Sequence, residues 1–326
     1  MDTNVKFLGL DIKSPIVAGS CGLTSTVENL VQLEKCGAGA VVLKSVFEEE
    51  IMYDIKRHTH NLNQMDLYGD SYEYIANHVA ADSLERHFDT IRQAKKQLSI
   101  PIVGSINCFT HENWITYAKY FQEAGCNAIE LNMSILPSET SLGVDDVDRT
   151  YSNVIQTLKR VVQLPISIKV APYFTDMAKF MQQLSWMGVQ GITLFNKMPL
   201  MDIDIENMQL CEASKVSSPD GLYNTLRWTA ILCSKLRCPI SATTGVYTSD
   251  DVVKLLLAGA GTVQVVSALY KNGLQYMRDL NDGLKDWMNR HHYDRLDQFV
   301  GKLAVSGNDN ASIALRTQFM RYFAEI

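Results

Sequence analysis

Short apolar runs alternate with longer amphipathic stretches along most of the chain. The segments Val27–Cys36, Glu112–Ala124 and Met177–Met187 place their apolar residues at helical spacing. Eight runs rich in Val and Ile have the length of strands: Ser14–Ala18, Ala40–Leu43, Pro101–Ile106, Ala128–Leu131, Pro165–Val170, Gly191–Phe195, Pro239–Ala242 and Gly261–Val266. Eight strands that are each followed by a helix, in about 250 residues, predict an α/β protein with the (β/α)8 TIM-barrel fold.

The residues at the strand entries repeat with a period of two strand–helix units. Strands one, three, five and seven begin with Pro-Ile, at Pro15, Pro101, Pro165 and Pro239. Strands two, four, six and eight follow helix ends marked by glycine, at Gly37, Gly39, Gly125, Gly188, Gly191, Gly259 and Gly261. Proline at a strand entry needs no ladder donor, and glycine ends a helix in the left-handed conformation. A unit that recurs four times suits a closed barrel better than an open sheet with distinct edges.

Two connections between the predicted elements are long. One runs from Ser45 to about Ala81 after strand two, and the other from Lys197 to about Asp220 after strand six. Both leave the carboxyl ends of strands, so in a barrel both lie on the catalytic face, where loops of this length usually act as lids or caps. The N-terminal segment Val5–Ile12 is expected to form a hairpin that turns at Gly9 and plugs the bottom of the barrel.

We expect the chain to form a single domain over residues 1–326. The barrel would occupy about 14–290, and a C-terminal extension, 291–326, would add extra helices, with the last one near Ala311–Ala324 packed outside the barrel. A barrel of this size is within the range of a single domain.

Composition narrows the class of protein. Apolar residues make up 46% of the chain and charged residues 20%, as in an ordinary globular protein. A net charge of −6 argues against nucleic acid or an anionic membrane as partner, and the apolar runs are too short for a membrane span. The first residues lack the pattern of a signal peptide. Seven cysteines without a CxxC pair favour reduced thiols in a cytoplasmic protein over a disulfide framework or a metal site.

Polar side chains occur where the predicted strands end. The apolar run Ala128–Leu131 leads directly to Asn132 and Ser134, an amide and a hydroxyl, and barrel strands deliver functional side chains in this way. The corresponding residues on the other strands are Ser20, Lys44, Ser45, Asn107, Lys169, Asn196, Thr244, Gly245 and Ser267. Because buried amines are costly unless they are paired, lysines and asparagines at equivalent places favour a site for an anionic or amide-bearing ligand. For any one of them, a structural hydrogen bond is the alternative.

The loops after strands seven and eight have features of a phosphate site. Thr244-Gly245 precedes a helix that begins at Ser249, and Ser267 follows strand eight. Barrels often bind phosphate through the backbone N–H groups of these two loops. Two glycines are normally found there, and Thr244 occupies the place of the first.

Five segments carry a family resemblance. They are Lys44-Ser45, Glu130 to Ser134, Ile168 to Phe174, Thr244-Gly245-Val246 and Ser267-Ala268-Leu269. Together they resemble the FMN-binding barrel of dihydroorotate dehydrogenases, particularly the soluble class 1 enzymes. The match extends from about Val5 to Trp287, and it implies a flavoprotein oxidoreductase with FMN as cofactor.

The resemblance implies a role for each matching residue. The implied flavin contacts are Ala18, Gly19, Ser20, Lys44, Ser45, Asn107, Asn132, Lys169 and Phe195, and the implied phosphate ligands are Thr244, Gly245, Val266 and Ser267. The implied substrate contacts are Lys44, Asn132 and Asn196. Our candidate catalytic residues are Lys44, Asn132 and Ser134. Lys169 would stabilise negative charge on the reduced ring, because a fixed ammonium near N1 and the C2 carbonyl costs no reorganisation.

The sequence departs from the family pattern on the substrate side. The family motif continues Asn-x-Ser-(Cys or Ser)-Pro-Asn, and the base that removes the substrate C5 proton occupies the fourth position, which is Ile135 here. A positioned base typically contributes about 10²–10⁴-fold, so Ser134 or Tyr68 of the first long loop would have to replace it. The family loop that grips orotate is absent from 61–69, and Lys197 stands where serine or threonine is expected.

One principal hypothesis and two alternatives follow. The principal one is a dihydroorotate dehydrogenase-like, FMN-dependent dehydrogenase of CH–CH bonds, which transfers hydride between FMN and a small dihydropyrimidine-like or related substrate. A paralogue inactive on dihydroorotate would use another dihydro or enone compound. The first alternative is a non-catalytic flavin-binding subunit. The second is a flavin-free barrel lyase in which Lys169 forms a Schiff base with the substrate.

The electron acceptor must come from outside the chain. The cysteines are not clustered as an iron–sulfur site requires. Electrons would therefore pass to a soluble acceptor or to a partner redox subunit. The resemblance also implies a homodimer that acts in pyrimidine metabolism.

Overall fold

A closed ring of parallel strands surrounded by helices forms the protein. The computed structural model describes residues 1–60, 84–85, 87–133, 135, 140, 143–197, 200–305 and 311–324. The strands are β1 (Val5–Phe7), β2 (Leu10–Ile12), β3 (Ile16–Ala18), β4 (Val41–Val42), β5 (Val46–Phe47), β6 (Ile102–Asn107), β7 (Ala128–Met133), β8 (Ile166–Val170), β9 (Gly191–Leu194), β10 (Met201–Asp204), β11 (Gln209–Glu212), β12 (Ile240–Ala242) and β13 (Thr262–Val265). The helices are α1 (Val27–Lys35), α2 (Glu48–His60), α3 (87–97), α4 (His111–Glu123), α5 (Val144–Val161), α6 (Met177–Trp186), α7 (Gly221–Leu232), α8 (Ser249–Ala258), α9 (Ser267–Asn272), α10 (Tyr276–Arg290) and α11 (Ala311–Ala324).

Eight strand positions close the ring. Their order is β4, β3, β13, β12, β9, β8, β7 and β6, and β6 pairs again with β4. Val41 pairs with Ile102 in this closing contact, and all the pairings around the ring are parallel. The predicted (β/α)8 barrel is therefore confirmed, and each of the eight predicted strands is present with ends that differ by at most two residues.

The second strand position is interrupted. β4 and β5 both pair with β6, and residues 43–45 between them belong to neither strand, although the Leu43 N–H still donates to the Val103 carbonyl of β6. β5 resumes the pairing beside the end of β6, where Phe47 lies opposite Asn107. The interruption brings Lys44 and Ser45 to the carboxyl end of the barrel, where the sequence predicted them.

The bottom of the barrel is filled by the N-terminal hairpin. β1 and β2 pair as an antiparallel hairpin whose turn contains Gly9, as predicted. Phe7, Leu8 and Ile12 of the hairpin are buried in a cluster with apolar residues of the barrel interior. A Cβ at Gly191 would lie 2.7 Å from the Leu8 side chain, so the glycine that begins β9 makes room for the plug. The amino ends of the strands are thus sealed, and the carboxyl ends are left for ligands.

The glycines predicted to end helices do so in the left-handed conformation. Gly37, Gly125, Gly188 and Gly259 have φ values of 93°, 96°, 80° and 107°. Each one ends a helix just before the second, fourth, sixth or eighth strand of the barrel, which are β4, β7, β9 and β13. The repeat in the sequence therefore has a direct geometric cause.

The connection after strand six contains a hairpin that the sequence analysis did not predict. β10 and β11 pair antiparallel, and Ile203 faces Leu210 across the pair. Met201, Ile203 and Leu210 are all more than half exposed, so the apolar face of this hairpin has no cover within the described residues. The connection after strand two begins with α2, and 61–83 lies outside the described residues.

The C-terminal extension packs on the barrel through aromatic residues. Phe299 is fully buried and contacts Trp287 of α10 edge to face. The predicted last helix is present as α11. In the part of the chain that the structure describes, no helix has the length and apolar character needed to cross a membrane.

A buried carboxylate joins the loop after strand three to α2. Glu48, at the start of α2, is 2% exposed and accepts hydrogen bonds from the backbone N–H groups of Phe109 and Thr110. The Thr110 hydroxyl and the Asn113 amide donate to its second oxygen. Burial alone would raise the pKa of this carboxyl, but the four donors outweigh it and hold the pKa below its usual value. The ionised form of Glu48 is therefore part of the folded structure.

We expect Glu48→Gln to destabilise the protein at pH 7 by about 1–3 kcal/mol, because the charge-assisted bonds weaken. The folded-state pKa of Glu48 is lowered, so its stabilising effect is present above the unfolded-state value near 4.5 and is lost as the pH falls through the folded-state value. Urea denaturation of both proteins at pH 7 and below pH 4.5 measures this difference. A gap that stays constant between the two pH values would contradict the prediction.

Candidate active site

The carboxyl ends of the strands surround a groove made of two adjoining cavities. The cavities have volumes of about 370 Å³ and 380 Å³, each within the usual range of about 300–1,000 Å³ for ligand pockets. They share the lining residues Ser20, Cys21, Gly22, Lys169, Asn196 and Lys197. We call the part that reaches the loops after strands seven and eight the distal cavity, and the part over strands two to four the proximal cavity. The shared residues make them one elongated groove.

Most of the predicted site residues line this groove. In the distal cavity these are Ser20, Lys169, Phe195, Asn196, Thr244, Gly245, Val266 and Ser267. In the proximal cavity they are Ser20, Lys44, Ser45, Asn107, Asn132, Lys169 and Asn196. Ala18 and Gly19 line neither cavity: Ala18 is fully buried in the barrel wall, and Gly19 donates its N–H to the Val265 carbonyl. Ser134 and Tyr68 lie outside the described residues.

Lys169 lies between the two cavities. It belongs to β8, is only 6% exposed and lines both halves of the groove. Its ammonium is 3.9 Å from Glu130 Oε1, and no described residue offers it a hydrogen-bond acceptor at closer range. A desolvated ammonium without an acceptor is costly. The Lys169 ammonium therefore offers a positive charge and N–H donors to the groove.

The barrel interior beneath Lys169 holds a polar layer that the sequence analysis missed. Glu130 of β7 is fully buried, and its Oε2 accepts hydrogen bonds of 2.8 Å from both Thr193 Oγ1 and Gln264 Nε2. These three residues belong to the fourth, sixth and eighth strands of the barrel, which are β7, β9 and β13. Barrels fill their interior with layers of side chains from alternate strands. A glutamate within an apolar strand was the signal available in the sequence. Gln264 also lines the distal cavity.

Lys44 lines the proximal cavity but is paired with a carboxylate of α2. Its ammonium lies 2.7 Å from each carboxylate oxygen of Glu50, and the two side chains are 30% and 54% exposed. An ion pair as exposed as this one is weak. Breaking this weak ion pair would cost little free energy if an anionic ligand replaced Glu50. The contacts of Lys44 with flavin and substrate stay predictions.

A chain of hydroxyl groups runs from the groove into the barrel. Ser20 Oγ lies 3.2 Å from Ser45 Oγ, which lies 2.7 Å from the buried Ser105 Oγ. Asn132 Nδ2 donates to the same Ser45 hydroxyl over 3.5 Å. These bonds fix the strand-end side chains that line the proximal cavity, and the predicted residues Ser20, Ser45 and Asn132 form one connected group.

The distal end of the groove contains a serine that the sequence analysis missed. Ser217 Oγ lies 2.9 Å from Ser267 Oγ and accepts a hydrogen bond from the Gly245 N–H. It therefore joins the two loops that were predicted to hold a phosphate. Lys215 lines the same cavity, so hydroxyls, a backbone amide and an ammonium converge where an anionic group would bind.

Thr244 adopts an unusual backbone conformation. Its φ is 79°, in the left-handed region that β-branched residues rarely enter, and Gly245 follows with the same value. The Thr244 hydroxyl donates to the Phe195 carbonyl over 2.8 Å and holds this strained turn in place. At Gly245 a Cβ would lie 2.2 Å from the backbone N of Leu222. The second position of the loop therefore requires glycine, although the first does not.

Cys21 is a further groove residue that the sequence analysis did not single out. It follows Ser20 and lines both cavities. Burial raises the pKa of its thiol, an effect only partly offset by hydrogen bonds with Leu23 and Thr24 and by the nearby Lys169. The thiol is therefore protonated at neutral pH, and in this form it cannot accept a proton.

Ile135 occupies the position of the family's base and offers no acid–base group. Its side chain is half-buried, packs against the main hydrophobic core and lines neither cavity. Just before it, the Tyr151 hydroxyl donates to the Met133 carbonyl. The end of β7 is thus anchored to α5, and position 135 is part of the packing.

The groove is electropositive. Lys44, Lys169, Lys197 and Lys215 contribute to its lining, and no Asp or Glu is found among its described lining residues. Nor do three potential His, Cys, Asp or Glu ligands come together as a metal site anywhere in the described ranges. The donors present suit an anionic organic ligand with carbonyl groups.

These features define a (β/α)8-barrel protein with an elongated, lysine-lined groove at the carboxyl ends of its strands, where barrel enzymes bind their ligands. The family model described as Dihydroorotate dehydrogenase matches residues 3–288. The chain belongs to the dihydroorotate dehydrogenase family. It is an oxidoreductase that acts on a CH–CH bond, and the proteins of this family are flavoproteins.

Three relatives show the extent of the similarity, and each is called dihydroorotate dehydrogenase B (NAD(+)), catalytic subunit. The protein of Pyrococcus furiosus is 25% identical over 312 residues, which cover 92% of this chain and 98% of the relative. That of Thermoplasma acidophilum is 25% identical over 308 residues, with coverage of 92% and 98%. That of Methanocaldococcus jannaschii is 25% identical over 310 residues, with coverage of 92% and 97%.

We expect Gly245→Ala to be more destabilising than Gly9→Ala, its matched control. Both glycines have φ near 80°, which costs a residue with a side chain about 1–2 kcal/mol. Gly9 has no atom within 4 Å of an added Cβ, whereas Gly245 would also collide with the backbone of Leu222. Chemical denaturation of the two variants measures the difference, and equal losses of stability would show that the close approach at Gly245 does not constrain the loop.

Proposed function

We propose that the protein binds FMN along the groove and exchanges hydride equivalents between this flavin and a small anionic or amide-bearing substrate. The observation that carries the proposal is the buried ammonium of Lys169, which faces both cavities and lacks a hydrogen-bond acceptor in the described part of the chain. A flavin ring offers carbonyl oxygens and, when reduced, a negative charge. Both satisfy an ammonium in this position.

The residues of the groove fit the two ends of FMN. Ser267, Gly245 and Lys215 would hold the phosphate at the distal end, with Ser217 moving its hydroxyl from Gly245 to the incoming oxygen. Lys169 would hold the polar edge of the ring at the centre of the groove. When bound, FMN supplies two-electron hydride chemistry, and the protein supplies its position and electrostatics.

The remaining predicted flavin contacts belong to the same proposal. Phe195, Thr244 and Val266 line the distal cavity, and Ser45 and Asn107 line the proximal one. They would hold the flavin by packing and by hydrogen bonds. Ala18 and Gly19 would not contact the flavin directly. They form the part of the barrel wall that precedes Ser20 and would position this residue.

The substrate would occupy the proximal cavity. Lys44, Asn132, Asn196 and Lys197 line it, a combination of ammonium and amide groups that suits a carboxylate and neighbouring carbonyl or amide groups. Lys197 stands where the family has serine or threonine, so the substrate contacts one more positive charge. Dihydroorotate has the required chemistry, and the relatives bear the name of its dehydrogenase.

A second candidate is a related dihydro or enone substrate. Ile135 packs in the core and cannot accept the proton that dihydroorotate oxidation releases. Cys21 lines the groove as a protonated thiol and does not replace the missing base, so a substrate other than dihydroorotate is the alternative. A Schiff-base lyase does not fit an oxidoreductase family.

The proposal extends to location and partners. All seven cysteines are unpaired, as expected in a reducing compartment such as the cytoplasm. The relatives are catalytic subunits, and we infer that electrons pass to or from a partner redox subunit or a soluble acceptor. The exposed apolar face of the β10–β11 hairpin is the surface we propose for a homodimer.

The visible spectrum of the purified protein, followed by anaerobic addition of dihydroorotate, tests the proposal. We expect a yellow protein with bound FMN. Bleaching by dihydroorotate identifies that substrate, whereas a protein that stays yellow but is reduced by dithionite points to the related dihydro or enone substrate. A colourless protein that cannot be reconstituted with FMN would refute the proposal.

We expect Lys169→Met to weaken FMN binding by about ten- to a hundredfold, the usual effect of losing a hydrogen bond to a charged group. Fluorescence titration of the apoprotein with FMN measures the dissociation constant. Lys179→Met, at a 72% exposed lysine of α6, is the matched control and should bind FMN as the wild type does. Equal affinities of the two variants would remove Lys169 from the flavin site.

A further inference from the structure

The carboxylate of Glu130 lies directly behind the groove, and the function proposed above does not use it. Glu130 is fully buried in the barrel and lines neither cavity. Its closest positive charge is Lys169, whose ammonium is 3.9 Å from Oε1. The ammonium thus has a ligand groove on one side and a buried carboxylate on the other.

The two oxygens of Glu130 have different surroundings. Oε2 accepts hydrogen bonds from Thr193 and Gln264, whereas Oε1 has no hydrogen-bond donor among the described residues. Glu48, the structural carboxylate described above, differs in this respect because donors saturate both of its oxygens. Buried carboxylate oxygens without donors are rare, and they call for a specific explanation. The ammonium of Lys169, 3.9 Å away, is the positive charge that faces Oε1 in the described structure.

The electrostatic consequence concerns any ligand that changes its charge in the groove. Interactions inside a protein are screened much less than in water, so both charges of the pair act on a ligand next to Lys169. The ammonium stabilises negative charge on that ligand, and the carboxylate behind it opposes this effect. The net electrostatic effect on the ligand therefore depends on both Lys169 and Glu130.

We propose that Glu130 is a positioning residue that limits the positive charge Lys169 presents to the flavin and so lowers the midpoint potential of the bound flavin. This inference rests on the proposed binding of FMN. A lower potential makes the reduced flavin a stronger hydride donor, which suits delivery of electrons to an electron-poor double bond or to an acceptor of low potential. Thr193 and Gln264 act with Glu130 because they hold its carboxylate beneath the lysine.

The test compares the midpoint potentials of FMN bound to four proteins, measured by equilibration with reference dyes at pH 7. They are the wild type, Glu130→Gln, the double variant Glu130→Gln/Lys169→Met, and Glu48→Gln as a matched change at another buried carboxylate. We expect Glu130→Gln to favour the reduced flavin by about tenfold or more, which corresponds to a rise of about 30 mV for a two-electron couple. The ratio of the dissociation constant of oxidised FMN to that of reduced FMN should rise by the same factor.

The double variant shows whether Glu130 acts through Lys169. Removing both charges restores a neutral pair, so its potential should fall back towards the wild-type value, and Glu48→Gln should not shift the potential. A Glu130→Gln potential equal to or below that of the wild type would overturn the inference. So would a double variant that keeps the raised potential.

A further variant covers the case in which Glu130→Gln does not fold. Thr193→Val removes one donor from Oε2 and leaves the carboxylate charge less compensated, so the potential should fall below that of the wild type. An unchanged or raised potential would overturn the inference. A wild-type protein that binds no FMN would refute the proposed function itself, which distinguishes the two failures.

Discussion

Closure of the parallel sheet is the constraint on which the rest of the structure depends. Once β6 pairs with β4, the ring has no edge, and every second residue of each strand must point into a narrow interior. At the bottom, the N-terminal hairpin fills this space with apolar side chains. Higher up, the interior is polar, and Thr193 and Gln264 donate hydrogen bonds to one oxygen of the fully buried Glu130 carboxylate. Closure therefore creates both the sealed bottom and the charged pair below the groove.

The sequence was sufficient to predict what local chemistry determines. Residue periodicity predicts the eight strands. The conformational freedom of glycine predicts the hairpin at Gly9 and the helix ends, and both signals come from residues close together in the sequence. The hydrogen-bond partners of Glu130, Thr193 and Gln264, lie 63 and 134 residues away along the chain, so no local sequence pattern predicts them. Ser217 was missed for the same reason, since its partner Ser267 is 50 residues further along the chain. The positions of the strand ends could thus be predicted from the sequence. The hydrogen bonds between side chains on different strands could be identified only in the three-dimensional structure.

The two ends of the groove differ in how closely they follow the family. The distal and central parts keep residue types that suit a phosphate and a flavin ring, with Thr244 strained into the place of a glycine. The proximal part has changed: Ile135 has joined the core, and Lys197 adds a positive charge. This division fits the proposal that the cofactor is retained while the substrate differs. A barrel permits such a change, because each loop can vary while the strands below stay fixed.

The loop after strand six links the exposed hairpin to the distal end of the groove. Ser217, near the end of this loop, is bonded to Gly245 and Ser267, and the Tyr247 hydroxyl donates to its carbonyl. The hairpin and Ser217 therefore belong to one connection, with only residues 213–216 between the end of β11 and Ser217. The homodimer contact proposed for the hairpin would thus lie a few residues along the chain from the loops proposed to hold the phosphate.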